Sequence, residues 1–284
     1  MNADLHTFYS SDFYDIIDFK CLCTDCRRSK PEHSTAFSIS FVRKGNFLFN
    51  VFRNSLDSYT GCVLVTKPEY ERTVTHIHTV PDECTIIQFK PAFYTALIDQ
   101  YKQTLFFRDN DLHSTLIKTG TDLEFLHYQI LQLVATRSGS KLQLDNIVME
   151  IIEKTLLMVT DYKPAHNINE RLKKNHLITI ERAKEYITTN FTNDISLTEI
   201  AAHCFISPFH FSRIFKVFTA YSPHQFLLNI RLKNAEILLK NSSKPIADIA
   251  WSCGFNSIEH FSYAFRQKYK SAPAKLRTSS SIMS

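Results

Sequence analysis

Two short segments of the sequence hold sulfur and nitrogen donors at spacings that could bind a metal ion. The first reads CLCTDC and the second reads HIHTVPDEC. Their donor residues are Cys21, Cys23, Cys26, His76, His78 and Cys84. Alternate side chains of a β-strand point to the same face, so the imidazoles of His76 and His78 could reach one ion. We therefore predict a metal or thiol-sensing site at these six residues, with zinc or another thiophilic metal as the candidate cofactor.

The same residues permit other interpretations. Exposed thiols with a low pKa in the segment Cys21–Cys26 could respond to an oxidant. Alternatively, the cysteines could be small buried hydrophobic residues, and the histidines could be hydrogen-bonded residues at a strand edge. The order H-x-H followed by Glu83 also resembles the metal motif of catalytic cupins, although the glycines that flank that motif are missing. A cupin-type metalloenzyme, with His76, His78 and Glu83 as ligands, is therefore an alternative function.

A second set of polar and aromatic residues occurs twice. The stretch HFSRIFKVFTAYSP begins at His210, and HFSYAFRQKYKSAP begins at His260, fifty residues later. Upstream, an apolar pattern at i, i+3, i+4 and i+7 recurs at an offset of 49, as Leu197, Ile200, Ala201 and Cys204 and then as Ile246, Ile249, Ala250 and Cys253. Each copy predicts a short helix, a tight turn and a second amphipathic helix. This is a helix-turn-helix unit, whose second helix enters the major groove of DNA.

The second helix of each copy combines an apolar stripe with a polar face. The stripes are Phe211, Ile214, Phe215 and Phe218 in the first copy and Phe261, Ala264, Phe265 and Tyr269 in the second. Between the copies, Pro223–Lys240 predicts a helix roughly 27 Å long, which suits two groove-reading helices about 34 Å apart. The alternative is that two helical hairpins simply recur in an all-helical bundle, because such a bundle would show similar apolar stripes. Serine caps at Ser196, Ser207 and Ser222, together with the charge of this region, favour DNA binding.

The positive charge of the chain is concentrated in the same region. The sequence of 284 residues has a net charge of +5. From His176 onward it contains 13 Lys and Arg against 7 Asp and Glu, whereas the first 175 residues contain 20 against 21. A basic C-terminal part favours a polyanionic partner such as double-stranded DNA.

The segment Ser196–Arg277 strongly resembles the DNA-binding domain of AraC-type (AraC/XylS family) transcriptional regulators. Its most specific part reads PIADIAWSCGFNSIEHFSYAFRQKYKSAP. The resemblance implies base contacts from Phe209, His210, Ser212, Arg213, Glu259, His260, Ser262 and Tyr263. Lys216 and Arg266 suit contacts with DNA phosphates. The resemblance also implies RNA polymerase as a partner.

The chemistry of these positions ranks them. Arg213 is the best single candidate, because a guanidinium can hold O6 and N7 of guanine with two hydrogen bonds. Glu259 could accept from N4 of cytosine. Tyr263 stands where the family often has arginine, so we expect the second helix to read its site more weakly. Ala220 and Lys270 stand where the family pattern has glycine after each reading helix, so we expect backbone strain there.

The N-terminal part predicts a small β-fold followed by helices. Alternating apolar residues on both sides of Gly45 predict a hairpin over Phe37–Phe52. Further strands are predicted at Cys62–Thr66 and Cys84–Phe89. Helices are predicted at Ala92–Tyr101, Leu123–Thr136 and Leu142–Val159. This part loosely resembles the cupin-like sensor domains that are often joined to AraC-type modules.

We therefore predict a two-domain α+β protein, with an N-terminal small β-barrel or sandwich flanked by helices and a C-terminal all-α domain with two helix-turn-helix units. The predicted domains are residues 1–100 for the cupin-like sensor, 101–162 for a helical dimerisation segment, 163–175 for a linker and 176–284 for the DNA-binding domain. A broad apolar face in the dimerisation segment is predicted to form a homodimer. Its residues are Leu144, Ile147, Val148, Ile151 and Ile152.

The predicted function is a DNA-binding transcription regulator, not an enzyme, that responds to a small-molecule, metal or redox effector. A DNA alkyl-repair adaptor is a second alternative, because some of these proteins join a reactive zinc-bound cysteine to an AraC-type module. The sequence does not contain two C-x2-C-like pairs, which counts against this alternative. The first residues do not form a signal peptide and no run of about 18 apolar residues is present, so we expect a cytoplasmic protein without a membrane partner.

Overall fold

The computed structural model describes residues 3–22, 28–77, 81–136, 140–160 and 168–281. Two compact units divide the chain, Met1–Glu181 and Arg182–Ser284. The first unit is rich in strands and the second is helical, which confirms the predicted two-domain α+β class. In the described part of the chain, no helix is both long and apolar enough to cross a membrane.

The strand-rich unit contains two antiparallel sheets. Its strands are β1 (Ala3–Ser10), β2 (Tyr14–Cys21), β3 (Glu32–His33), β4 (Ser38–Lys44), β5 (Asn46–Val51), β6 (Asn54–Tyr59), β7 (Cys62–Thr66), β8 (Glu71–His76), β9 (Glu83–Phe89) and β10 (Ser114–Lys118). The first sheet has the order β1-β2-β9-β4-β7-β10, and the second has the order β3-β8-β5-β6. Ile39 and Phe41 of the first sheet and Phe47 and Phe49 of the second are buried in the core. The predicted small β-fold is confirmed.

The predicted hairpin over Phe37–Phe52 is wrong, although its turn is correctly placed. β4 pairs with β7 and β9 in the first sheet, whereas β5 pairs with β6 and β8 in the second. The chain passes from one sheet to the other at Gly45, which has a φ of +91°. A Cβ at this position would lie 2.0 Å from Oδ1 of Asp82, so the close approach requires glycine. Apolar alternation is the same in a hairpin and in such a corner.

The strand-rich unit also contains helices α1 (Pro91–Tyr101), α2 (Leu105–Arg108), α3 (Thr121–Thr136) and α4 (Lys141–Thr160). The bounds of α1, α3 and α4 confirm the three predicted helices to within two residues. The predicted helical segment 101–162 is not helical throughout. It contains β10, which pairs with β7 at the edge of the first sheet.

The predicted dimer face on α4 is wrong, because it belongs to the core of the chain itself. Leu144, Ile147, Val148, Ile151 and Ile152 are all at most 7% exposed. Helix α4 packs against α2, α3 and β10. The hydroxyl of Tyr14 in β2 donates a hydrogen bond of 2.9 Å to Oδ1 of Asp145. The apolar side chains that α4 leaves exposed are Leu142, Met149 and Leu157.

The predicted linker at 163–175 lies partly outside the described residues, which resume at 168. Helix α5 (Glu170–Asn190) begins inside this linker. Lys173 of α5 is 1% exposed, and its ammonium forms ion pairs with Asp57 of β6 and with Glu170. The division between the two units follows Glu181, six residues after the predicted boundary. The linker was predicted from the polar composition of this stretch. That composition did not reveal the start of α5, where Lys173 forms its buried ion pair with Asp57.

The helical unit begins within α5. Its further helices are α6 (Leu197–His203), α7 (Pro208–Thr219), α8 (Pro223–Asn241), α9 (Ile246–Ser252), α10 (Ile258–Tyr269) and α11 (Pro273–Ser281). Ser196 and Ser222 form complete capping boxes with Glu199 and Gln225, respectively. Each serine satisfies a free amide at a helix start, which typically contributes about 1 kcal/mol.

Candidate nucleic-acid interface

Helices α6 and α7 form the first helix-turn-helix unit, and four residues, 204–207, connect them. Oγ of Ser207 accepts a hydrogen bond of 3.4 Å from the backbone N–H of His210 and caps α7. Phe211, Ile214, Phe215 and Phe218 are at most 5% exposed. Because this stripe packs into the unit, the opposite face of α7 is turned to the solvent.

Helices α9 and α10 form the second unit, with five connecting residues, 253–257. The turn is one residue longer than the first, which confirms the predicted change of offset from 49 to fifty. Oγ of Ser257 accepts a hydrogen bond of 3.2 Å from the backbone N–H of His260. Phe261, Ala264 and Phe265 are at most 7% exposed. The same internal stripe therefore positions α10, and α7 and α10 are the two helices that the sequence predicts to read DNA.

The two units also share left-handed backbone conformations at matching positions. Phe205 in the first turn has a φ of 56°, and Gly254, 49 residues later, has a φ of 82°. Ala220 and Lys270, which end the reading helices, have φ values of 65° and 55°. This conformation costs a residue other than glycine about 1 kcal/mol. The strain predicted after each reading helix is confirmed.

The solvent face of each reading helix carries the residues predicted to contact bases. Phe209, His210 and Arg213 are exposed on α7, as are Glu259, His260 and Tyr263 on α10, while Ser212 and Ser262 are half-buried. Phe209 is 82% exposed and Tyr263 is 66% exposed. Both aromatic side chains are therefore accessible to a partner. The individual base contacts stay predictions.

The two reading helices differ in charge. Glu259 lies in the first turn of α10, and Oγ of Ser257 donates a hydrogen bond of 2.6 Å to its Oε2. This hydrogen bond lowers the pKa of Glu259, so the group is an ionised acceptor. On α7 the exposed face carries Arg213 and Lys216, one turn apart, whereas α10 has Tyr263 in place of Arg213 and Arg266 in place of Lys216. The first reading helix therefore suits guanine and phosphate, and the start of the second suits the amino group of cytosine.

Helix α8 connects the two units and fixes their spacing. Its 19 residues make it about 28 Å long at 1.5 Å per residue. It packs against α7 of the first unit and against α9 and α10 of the second. Arg231 of α8 donates hydrogen bonds of 2.7 Å to the backbone oxygens of Phe191 and Asn193. A Cβ at Gly254 would lie 2.8 Å from the same oxygen of Phe191, so glycine allows the second unit this close approach.

A family model described as a helix-turn-helix domain matches residues 200–279, a range that includes parts of both helix-turn-helix units. The probable transcriptional regulator LumQ of Photobacterium leiognathi is 30% identical over 155 residues, 52% of this chain and 58% of LumQ. The chain carries an AraC-type DNA-binding domain. The resemblance predicted from Ser196–Arg277 is thereby confirmed, and both reading helices lie in the AraC-type domain.

Other relatives of the AraC-type domain differ in what accompanies it. AdaA of Bacillus subtilis (strain 168), named a bifunctional transcriptional activator and DNA repair enzyme, is 29% identical over 114 residues, 40% of this chain and 53% of AdaA. A crystal structure of a transcriptional regulator with an AraC-type DNA-binding domain from Chromobacterium violaceum is 29% identical, and the match covers 37% of this chain and 93% of that one, with a TM-score of 0.35. The chain thus spans about half the length of LumQ and of AdaA.

In the strand-rich unit, the structure brings some of the predicted metal or thiol-sensing residues together. Cys21 at the end of β2 and His76 at the end of β8 offer ligand atoms within 4.8 Å of one another and of a carboxylate oxygen of Asp82. Cys84 follows in β9 and lines the same cavity as His76 and Asp82. The other three predicted residues, Cys23, Cys26 and His78, lie outside the described residues.

Asp82 is the member of this cluster that sequence reasoning missed. The only signal in the sequence was its place between His76 and Cys84 in the segment HIHTVPDEC. The pairing of β2 with β9 brings it to Cys21, whose N–H donates a hydrogen bond of 2.8 Å to the backbone oxygen of Asp82. Glu83, a ligand in the cupin-type alternative, is not part of the cluster. Its carboxylate forms ion pairs with Arg43 at 3.7 Å and Lys44 at 3.2 Å. The ligand set assumed for that alternative is therefore wrong at Glu83.

Proposed function

We propose that this chain is a sequence-specific transcription regulator that reads two successive segments of the major groove with α7 and α10. The observation that carries the proposal is the duplicated solvent face of these helices, each built on a buried apolar stripe. Several curated relatives are named as transcriptional regulators or activators. Two reading helices on one side of DNA must be about 34 Å apart, and the length of α8 is compatible with that spacing.

Two alanine variants of α7 separate base reading from phosphate binding. Arg213→Ala should weaken binding to the specific site by about 1–3 kcal/mol and relax the preference at one base pair, because two hydrogen bonds to guanine are lost. Lys216→Ala should weaken specific and random DNA alike, because a phosphate contact carries no sequence information. The measurement is fluorescence anisotropy of the full chain on a site found by genome-wide footprinting and on a scrambled duplex.

Lys141→Ala is the matched control, since Lys141 is an exposed cation in the strand-rich unit. It should leave both affinities unchanged. If Arg213→Ala and Lys216→Ala each reduced specific and random binding by the same factor, the division of roles between them would be refuted.

The strand-rich unit is proposed to receive the signal, whether a small molecule, a metal or an oxidant. It contains a cavity of about 280 Å³ whose lining comes from both sheets. Phe47 and Phe49 give this cavity apolar walls, and Arg72 and Glu32 add polar groups. Such a mixture suits a small ligand. We also propose that the chain acts in the cytoplasm and is not an enzyme.

We further propose that the regulator is a homodimer and contacts RNA polymerase when bound to DNA. The support for a dimer is the outer face of α4, where Leu142 is 69% exposed, Met149 45% and Leu157 57%. These positions follow one another at about two turns, so a second copy of α4 could cover all three.

Leu157→Glu should shift the chain to monomers, because a carboxylate placed between two apolar helix faces loses its hydration. Sedimentation velocity at micromolar concentration measures the change, and Glu153→Gln, at an exposed neighbouring position, is the control. A wild-type chain that sediments as a monomer at this concentration would contradict the dimer.

A further inference from the structure

The cluster of Cys21, His76 and Asp82 joins side chains from both sheets of the strand-rich unit. Cys21 ends β2 and Asp82 immediately precedes β9, two strands that pair in the first sheet, and His76 ends β8 in the second. Nδ1 of His76 lies 2.7 Å from Oδ2 of Asp82. The three ligand atoms, one from each residue, all lie within 4.8 Å of one another.

The backbone holds this cluster in place. The N–H of Cys21 bonds to the backbone oxygen of Asp82. The glycine corner at Gly45 lies directly against the Asp82 carboxylate, where any larger residue would collide. Two donors on one tetrahedral zinc ion are roughly 3.5 Å apart. Movements of little more than about 1 Å would therefore bring all three atoms into the first coordination shell of one ion.

The burial of the cluster is compatible with a bound cation. Cys21 and Asp82 are each 1% exposed, and the side chain of His76 is 3% exposed. A carboxylate so far from water is unfavourable unless positive charge or strong hydrogen bonds compensate for its lost hydration. A divalent ion supplies that charge and also converts a coordinated thiol to a thiolate. Sulfur, imidazole nitrogen and carboxylate oxygen together are a donor set that zinc accepts.

We propose that Cys21 Sγ, an imidazole nitrogen of His76 and a carboxylate oxygen of Asp82 bind one zinc ion. Three protein ligands leave one tetrahedral position for water or an incoming donor. His76 and Asp82 also line the cavity of about 280 Å³, so the free position opens on that cavity. Cys84 lines the same cavity.

The zinc site is independent of the DNA-binding function, and its test contains no DNA. Metal-free full-length chain is titrated with Zn²⁺ against a chromophoric chelator. We expect one tightly bound ion per chain. Cys21→Ser, His76→Gln and Asp82→Asn should each weaken zinc binding by at least about 100-fold, since even residues that only orient a ligand contribute 10–100-fold. Cys62→Ser is the matched control, because Cys62 is equally buried in β7, at 1% exposure, and should leave the affinity unchanged.

The wild-type chain provides a test that does not depend on whether the variants fold. Co²⁺ bound in place of zinc should give a thiolate-to-cobalt charge-transfer band and the intense visible bands of a tetrahedral complex. Zinc should also raise the melting temperature of the wild type and of Cys62→Ser, because an ion that binds the folded chain stabilises it.

Three results would overturn the proposal. The first is a wild-type chain that binds no stoichiometric zinc, and the second is a cobalt complex without the thiolate band. The third is a Cys23→Ser/Cys26→Ser variant that loses zinc as completely as Cys21→Ser, because the three proposed donors would then be insufficient. Retention of zinc by the Cys23→Ser/Cys26→Ser variant supports the three-donor site.

Discussion

Raising the salt concentration from about 50 to 200 mM should weaken binding of the full chain to its DNA site about 10³-fold. Each phosphate neutralised by a lysine or arginine contributes about 0.9 to the slope of log affinity against log salt, so this loss corresponds to about six contacts. The AraC-type domain has enough cations for that number. Its exposed basic residues include Arg182, Arg213, Lys216, Lys240, Lys244, Arg266, Lys270 and Lys275.

Anisotropy titrations over a series of salt concentrations measure this slope. A fragment of residues 170–284, which keeps α5 whole, should show the same slope as the full chain. The reason is that the excess positive charge lies in this part, as the count of 13 Lys and Arg against 7 Asp and Glu from His176 onward shows. A slope near zero for the full chain would contradict DNA binding through these cations.

Glu236→Gln should destabilise the helical unit by about 3 kcal/mol, because breaking a buried ion pair by removing one partner is strongly destabilising. Nζ of Lys233, whose side chain is 0% exposed, lies 2.8 Å from Oε2 of Glu236. Nζ of Lys240 lies 2.5 Å from Oε1 of the same carboxylate. The pair lies on α8, which carries both helix-turn-helix units.

Chemical denaturation at neutral pH measures this loss. Glu185→Gln on α5 is the control, since Glu185 is exposed and a surface carboxylate typically contributes less than about 1 kcal/mol. If Glu236→Gln were as stable as the wild type, the ion pair would contribute nothing to the stability of α8.

The same carboxylate makes the stability of the helical unit depend on pH. Burial by itself raises the pKa of Glu236, but Lys233 and Lys240 outweigh it and lower this pKa from 4.5 to about 2. A folded-state pKa below the unfolded one means that the stabilisation is complete above pH 4.5 and is lost as the pH falls towards 2. In Glu236→Gln this part of the acid sensitivity should disappear.

Local patterns in the sequence were sufficient to predict the helices and turns of the helical unit. Serine caps such as Ser196 act on amides within the next three residues, so their effect is visible in a short stretch. The stripes beginning at Phe211 and Phe261 repeat at the helical period, and their burial leaves only one face for DNA. Even the one-residue difference between the two turns followed from the change of offset between the copies.

In the strand-rich unit the pairing of strands decided what the sequence left open. The alternation around Gly45 is the same for a hairpin and for a corner between two sheets, and only the partners of β4 and β5 distinguish them. The apolar face of α4 is equally suited to a second chain and to α3, and the fold uses it internally.

The cluster of Cys21, His76 and Asp82 shows the same limit most clearly. His76 was visible as a candidate ligand because its residue type and spacing are local properties. Asp82 became its neighbour only through the register of β2 with β9 and the approach of β8 from the other sheet. The sequence by itself determined the residue types, the helical periods and the caps. Contacts between residues distant in the chain depend on which elements fill the space between the two sheets, and therefore only the tertiary structure could decide them.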